Sequence, residues 1–412
     1  MTDIEEFDVI VLGAGPGGEV CAGRLAEAEL SVALIEQDLI GGECSFYACM
    51  PSKGLLRPAQ ALAEARRVPG AAEAASGELD VSAALARRDE IIHHLDDGSH
   101  LPWVEDRGIV LVRGHGVLEG ERRLRVGDRL LAARRAVVLA PGSAAAVPPI
   151  PGLRESRPWT NREATTTQSI PSSLLVLGGG VVAVELAQAF ASLGAQVTIV
   201  EALDRLISRE EQFASDLVGK ALRHTGVEVL LASEVTAVRR DGDAPGEGDV
   251  TLMLQDGRAV AAEQLLVAVG RKPHTDSLGL ESVGIEAGGY VEVDDTMRVP
   301  GHDWLYVLGD ANGRVLLTHM GKYQARLAAD HILGKEVELR CDGPLSPRVI
   351  FTEPQVAAVG HTLATARSAG LSVRAVDQQI DTIAGSSFVG HGASGMARIV
   401  IDEERGVLVG AT

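Results

Sequence analysis

Aromatic residues are scarce: Phe, Tyr and Trp together make up 3% of the 412 residues. So few rings leave little material for the stacking platforms on which bases or sugars are held. Cysteine is equally sparse, with four in the whole chain, which excludes a disulfide scaffold of the secreted kind. Cys21 and Cys341 stand alone, and only Cys44 and Cys49 are close in sequence. Positive charge is also short. Lys and Arg number 38 against 57 Asp and Glu, a formal net charge of -19. Nucleic acid and acidic headgroups are repelled on average by such a chain, so neither a nucleic-acid nor a membrane partner is expected. No apolar run approaches the roughly 18 residues that a membrane-spanning helix needs. Residues 1–6 are acidic and lead straight into apolar residues 9–12, without the basic start and cleavable core of a secretory signal. A cytoplasmic location is the resulting expectation.

What the chain does have is glycine, 47 residues, within a 46% hydrophobic composition that can fill two to four domain cores. Two segments repeat one pattern. Residues 8–18 form a buried-strand run entering Gly13-x-Gly15-x-x-Gly18, followed by a helical stretch 19–28 and a second strand 31–36 ending at Glu36. Residues 173–183 repeat it with Gly178, Gly180 and Ala183, followed by a helix 184–193 and a strand 196–201 ending at Glu201. Each reads as a βαβ unit. The first glycine permits a tight turn, the second lets backbone approach a pyrophosphate, and the third position allows close packing of helix on strand. The helix then offers unpaired N–H groups to phosphate, and the acid about 20 residues on suits ribose hydroxyls. Two such fingerprints imply two dinucleotides, most economically a flavin fed by a nicotinamide. A carboxylate at Glu201 opposes a 2'-phosphate, which favours NADH; Arg205 and Arg209 nearby leave room for NADPH. Between the units, residues 108–139 alternate as short antiparallel strands would. Prolines at 147–152 and the stretch 342–347 mark boundaries, and residues 239–249 read as a solvated hairpin loop.

Cys44 and Cys49 lie in residues 41–53, just beyond Glu36. Five residues apart on a regular helix is too far for an unstrained bridge, so a disulfide here requires an irregular turn and is easily reduced. With Pro51 in a first helical turn, free N–H groups and Lys53 would favour thiolate.

With this segment in place the sequence resembles the class I pyridine nucleotide-disulfide oxidoreductases, from Asp8 essentially to the end. The resemblance implies an α/β fold with two Rossmann-like dinucleotide-binding domains, for FAD and NAD, and a partial α+β dimerisation domain. It places the FAD domain at 1–150, the NAD domain at 151–275, the second part of the FAD domain at 276–345 and the dimerisation domain at 346–412. It makes Cys49 the charge-transfer thiol beside the flavin, Cys44 the interchange thiol, and Lys53 with Glu185 an ion pair beside the flavin N5 region. Asp310 matches the residue that binds the ribityl chain. His115 and Gly116 fall near the adenine, Thr318 and His319 near the flavin ring, and Gly142 in the turn that usually reads Ala-Thr-Gly. Val235 and Gly270 join the NAD site, and no metal site is implied. The implied activity is hydride transfer from NADH to FAD, to the cysteine pair and on to a small disulfide of the dihydrolipoamide type. A diaphorase, quinone reductase or transhydrogenase without disulfide exchange is the alternative, and a non-catalytic FAD-binding subunit a third. A homodimer is implied when the C-terminus is complete.

Three departures from the family pattern stand out. Glu43 replaces the usual Thr before the first cysteine, and the added carboxylate should disfavour a Cys44 thiolate. Pro141 replaces the Thr of the Ala-Thr-Gly turn. The catalytic His-Glu pair is expected beyond Thr412, since neither His361 nor His391 sits in its pattern; on that reading the chain passes electrons to artificial acceptors but is impaired in disulfide turnover.

Overall fold

The computed structural model describes residues 4–242 and 248–412. The central part of the expected loop at 239–249, and the first half of the acidic N-terminus, therefore lie outside the described residues. The chain divides into two compact units, each assembled from three segments.

The first unit comprises the chain through Met50, Ile92–Ala144 and Arg271–Ser346. Its sheet runs in the order Val110–Arg113, Val32–Glu36, Ile4–Leu12, Arg129–Leu139, Arg123–Val126, Gly116–Leu118. A seventh strand, Leu305–Val307, pairs in parallel with the far half of Arg129–Leu139. The opening strand is buried from Val9 to Leu12, as a strand covered on both faces should be. Helix Pro16–Glu27 begins three residues earlier than the helical pattern suggests, because Gly15 is its N-cap and Pro16 occupies the first helical position. It packs against helix Thr318–Ile332, where a bidentate pair joins Arg24 to Asp330 at 2.7 Å. The expectation of antiparallel strands across 108–139 holds only for its later part. Gly116–Leu118, Arg123–Val126 and the start of Arg129–Leu139 form an antiparallel meander. Val110–Arg113 instead pairs in parallel with Val32–Glu36, and Arg129–Leu139 in parallel with Ile4–Leu12. Alternation along one strand carries no information about the direction of its neighbour.

The second unit comprises Pro51–Ile91, Ala145–Gly270 and Pro347–Thr412. Residues 51–91 thus group with this unit. Its parallel sheet has the order Glu228–Leu230, Gln196–Val200, Ser173–Leu177, Gln264–Val267. Helix Val181–Ser192 again starts three residues before the expected position, directly after Gly180, and is buried continuously from Ala183 to Phe190. A three-stranded antiparallel sheet includes Val235, buried with Leu252 and Leu254. A five-stranded sheet completes the unit: Arg348–Ile350, Val356–Gly360, Val407–Ala411, Met396–Asp402, Val373–Gln379. No helix among the described residues is long and apolar enough to cross a membrane.

Candidate functional site

In the first unit the strand Ile4–Leu12 delivers the chain to Gly13, whose φ of +99° is open to glycine but strained for other residues. A Cβ there would lie 2.2 Å from the Ala140 carbonyl, and one on Gly18 would lie 1.8 Å from the Gly13 carbonyl. Both glycines are therefore fixed by backbone crowding. Gly15 differs: a Cβ there would meet nothing within 4 Å, and no side chain caps the helix behind it. The second glycine thus faces open space at a helix N-terminus with free N–H groups, the cradle that a pyrophosphate requires. Glu36 lies beside it, accepting hydrogen bonds from the Ala14 and Asp38 amides, each at 2.7 Å. Burial raises its pKa above the usual carboxylate value, partly offset by those donors. The donor set fits an FAD dinucleotide.

The cysteine loop rests on this turn. Gly41 donates to the Ala14 carbonyl at 2.8 Å, and a Cβ on Gly42 would meet the Gly15 Cα at 2.8 Å. Helix Gly42–Phe46 carries Cys44; the chain breaks helix at Tyr47 and Ala48, and Cys49 opens helix Cys49–Arg67. The irregular turn required for a bridge is present, and Pro51 falls in the first turn of the next helix. Neither cysteine is in a disulfide, and both are of intermediate exposure. A hydrogen bond to Cys49 raises the Cys44 pKa, with burial and the charge of Cys49 acting the same way. Thr318 and Lys322, one turn apart on helix Thr318–Ile332, oppose that shift. Thr318 Oγ1 lies 3.4 Å from Cys49 Sγ. Glu43 is not a leading cause, contrary to the expected carboxylate effect on Cys44; Arg271 Nη2 lies 3.7 Å from it.

The turn Gly309–Asn312 carries Asp310, which accepts from the Ser143 hydroxyl. Ser143 thereby supplies a hydroxyl two residues after the Pro141 position that lacks one. Arg271 Nε donates to Ser143 Oγ at 2.6 Å and lies 3.6 Å from Asp310. Gln324, almost fully buried, accepts from the Gly309 amide and from Asn312, holding this turn in place. His115 is bound to Gln37 and the Ser277 carbonyl at 2.8 and 2.9 Å, and Gly116 packs against Leu12. Gly142 is left-handed and accepts from the His274 amide. His319 is exposed. Ser143, Gln324 and Lys322, and the reach of Arg271 to Ser143 and Glu43, carry no sequence signal. Their partners lie far along the chain, and no local pattern announces them.

The second unit repeats the cradle. Gly178, at φ +109°, crowds the Ala268 carbonyl, while a Cβ on Gly180 would meet nothing within 4 Å. Ala183 is fully buried in the helix behind it. Glu201 accepts from the Leu203 amide at 2.7 Å, and its carboxylate lies 2.8 Å from where a Gly179 Cβ would stand. Arg205 is engaged by the carbonyls of Ser208 and Glu210. Gly270 has φ +148° and its carbonyl accepts from the Ala146 amide. Elsewhere in this unit Lys53 Nζ pairs with Glu185 Oε2 at 2.7 Å and lies 4.6 Å over the Phe351 ring. The other Glu185 oxygen accepts from the Phe351 amide at 2.9 Å, so the nearly buried carboxylate is satisfied at both ends.

Two phosphate-binding turns of the Rossmann kind and a thiol pair packed on one of them define a dithiol flavoprotein of the nicotinamide-linked class. The chain belongs to the pyridine nucleotide-disulphide oxidoreductases: that family matches residues 7–325, and its dimerisation domain matches 346–412. It is similar to a dihydrolipoyl dehydrogenase of Haloferax volcanii, 32% identical over 98% of this chain and 86% of that protein. A mercuric reductase of Acidithiobacillus ferrooxidans is 33% identical over 99% of this chain and 74% of its own length. Among solved structures, the HOCl-induced flavoprotein disulfide reductase RclA of Escherichia coli, in a Cu(II) complex, gives a TM-score of 0.85. It is 25% identical and matches 99% of this chain and 89% of that one. The chain is accordingly an NAD(P)H-dependent flavoprotein disulfide oxidoreductase that uses FAD.

Proposed function

We propose that this oxidoreductase uses NADH to reduce a small disulfide, with Cys44 as the thiol that meets the acceptor and Cys49 as its resolving partner. The observation that carries the reading is the contact of the two thiols on the dinucleotide turn, with Cys44 hydrogen-bonded to Cys49. FAD, when bound, takes hydride equivalents from the nicotinamide and supplies an electron pair to the cysteine disulfide. Gly13, Gly15, Gly18 and Glu36 would hold its dinucleotide part, Asp310 and Ser143 its ribityl chain, and Gly142, His115, Gly116, Thr318 and His319 its remaining edges. Gly178, Gly180, Ala183, Val235 and Gly270 would frame the nicotinamide dinucleotide, with Glu201 on its ribose. Lys53 and Glu185 form the ion pair assigned to the flavin N5 region. In turnover the Cys44 thiol gives up its proton and attacks one acceptor sulfur, forming a mixed disulfide and releasing one thiolate, which takes a proton. Cys49 then attacks the Cys44 sulfur, closing the internal disulfide and releasing the second thiol. One acceptor disulfide becomes two thiols, and the enzyme dithiol becomes a disulfide.

NADH is expected to give the higher kcat/KM, because Glu201 opposes a 2'-phosphate. The acceptor is tested with lipoamide, glutathione disulfide, mercuric ion and ferricyanide assayed side by side on the FAD-loaded protein and its C44S and C49S variants. Disulfide turnover lost in both variants with ferricyanide reduction retained is the expected result. Retention of every activity without the cysteines would overturn the reading in favour of a diaphorase. A homodimer built through residues 346–412 belongs to the same proposal.

A further inference from the structure

Helix Gly42–Phe46 is five residues long, and a helix of that length has no stability of its own. The position of Cys44 therefore depends on what ties this helix down. Gly41 and Gly42 seat its start on the dinucleotide turn, and Phe46 buries its end completely. Between them Glu43 turns its carboxylate toward Arg271, whose guanidinium also binds the Ser143 hydroxyl and carbonyl, at 2.6 and 2.5 Å, and stands 3.6 Å from Asp310. Glu43 and Arg271 keep only 23% and 20% of their side-chain surface, so the pair is largely shielded from solvent. Tyr290 donates to the Arg271 carbonyl at 3.3 Å, fixing the other end of that residue.

We infer that Glu43 is a positioning residue: through Arg271 it straps the Cys44 helix to the Ser143–Asp310 cradle and so holds the Cys44 sulfur in register with Cys49. The inference rests on the reading of Cys44 and Cys49 as the exchange pair. The groups that bear most on the Cys44 proton are Cys49 and, from helix Thr318–Ile332, Thr318 and Lys322. Glu43 turns its charge toward Arg271, and it acts on the place of the thiol, reaching its proton only through the contact with Cys49. Two thiols in register form their disulfide with a high effective concentration, which falls when one of them is released to wander. The equilibrium E(SS) + 2 GSH ⇌ E(SH)2 + GSSG measures that quantity directly, without turnover.

The test sets this equilibrium in glutathione buffers for the FAD-loaded wild type, E43Q, E43D and R271M, quantifying Cys44–Cys49 disulfide by mass spectrometry after acid quench. A second measurement follows the pH profile of iodoacetamide labelling at Cys44 in each reduced protein. Expected is a drop of about tenfold in the tendency of E43Q and E43D to form the internal disulfide, the size of an ordinary coupling between contacting residues, with labelling moved to lower pH in both, because a Cys44 released from Cys49 loses the contact that raises its pKa; E43D, which keeps the carboxylate charge, should move as far as E43Q. R271M should show the same drop, and E43Q/R271M no more than either alone. Should R271M not retain FAD, the two Glu43 variants decide the matter. A disulfide equilibrium within twofold of wild type in both would overturn the strap, as would a change in E43Q that E43D, with its carboxylate kept, does not share. A wild type that forms no Cys44–Cys49 disulfide in any buffer would sink the underlying assignment of the exchange pair instead.

Discussion

The Cys44 thiol is pushed above its ordinary pKa first by its hydrogen bond to Cys49, then by burial and by the charge of Cys49. The sign follows from each cause: a thiol that donates a hydrogen bond keeps its proton, and a nearby thiolate opposes a second one. Alkylation of Cys44 in the reduced protein should therefore be slow at neutral pH and rise only in strongly alkaline solution. Replacing Cys49 by Ala removes the first and third causes together, so the labelling profile should move to lower pH. An unmoved profile in C49A would show that burial alone governs Cys44. The cysteines, Lys53 with Glu185, and the pattern around Asp310 were legible because short motifs surround them. Arg271 was not, because its partners Ser143 and Glu43 lie 128 and 228 positions away (271 − 143 and 271 − 43) and only the folded backbone joins them. The acidic neighbour of Cys44 was seen, but its direction was not. Adjacency along a chain does not fix where a carboxylate points.

Among elements, the two βαβ units were legible because the glycine positions are dictated by backbone crowding. The helix starts were misplaced by three residues in each, because apolar periodicity begins a turn after the backbone is already helical. Crowding also separates fold from function among the glycines. Gly15 and Gly180 have free space where a Cβ would stand and negative φ, whereas Gly18 is crowded by the Gly13 carbonyl and Gly178 by the Ala268 carbonyl, the latter at φ +109°. G15A should leave the melting temperature of the apoprotein within about 2 °C of wild type, since no clash or strain arises, while FAD retention falls sharply. G180A should likewise fold normally and raise the KM for NADH. G18A and G178A should instead lower stability by a few kcal/mol, the cost of forcing a Cβ into backbone. Thermal melts of the four apoproteins, beside flavin content and NADH kinetics, check the set. A G15A protein that keeps its full flavin would show that the pyrophosphate lies elsewhere.

For the whole molecule, the sheet of residues 347–412 leaves apolar side chains open. Along Val356–Gly360 burial alternates, with Val356 and Ala358 in the core and Val359 44% exposed. On the middle strand Leu408 is 63% exposed. Apolar surface of this kind in a dimerisation domain is the expected seat of a second copy. Light scattering should accordingly give twice the 43.2 kDa of one chain, and L408E should shift the mass toward one copy. A monomeric wild type at micromolar concentration would remove the homodimer from the proposal.

The pairing of Leu305–Val307 with Val137–Leu139 has a consequence for how the protein is made. Strand Arg129–Leu139 is finished on the ribosome 166 residues before its parallel neighbour Leu305–Val307 begins to emerge (305 − 139). At ordinary synthesis rates that interval is roughly ten to thirty seconds. Throughout it, the entire parallel sheet of Ser173–Leu177, Gln196–Val200, Glu228–Leu230 and Gln264–Val267 can form, because its strands all lie inside the gap. The parallel sheet of the second unit can thus mature before the sheet of the first is complete. Val137, Val138 and Leu139, all but inaccessible in the finished protein, wait meanwhile as an unpaired β-edge, the kind of surface that holding chaperones protect and that nascent chains aggregate through.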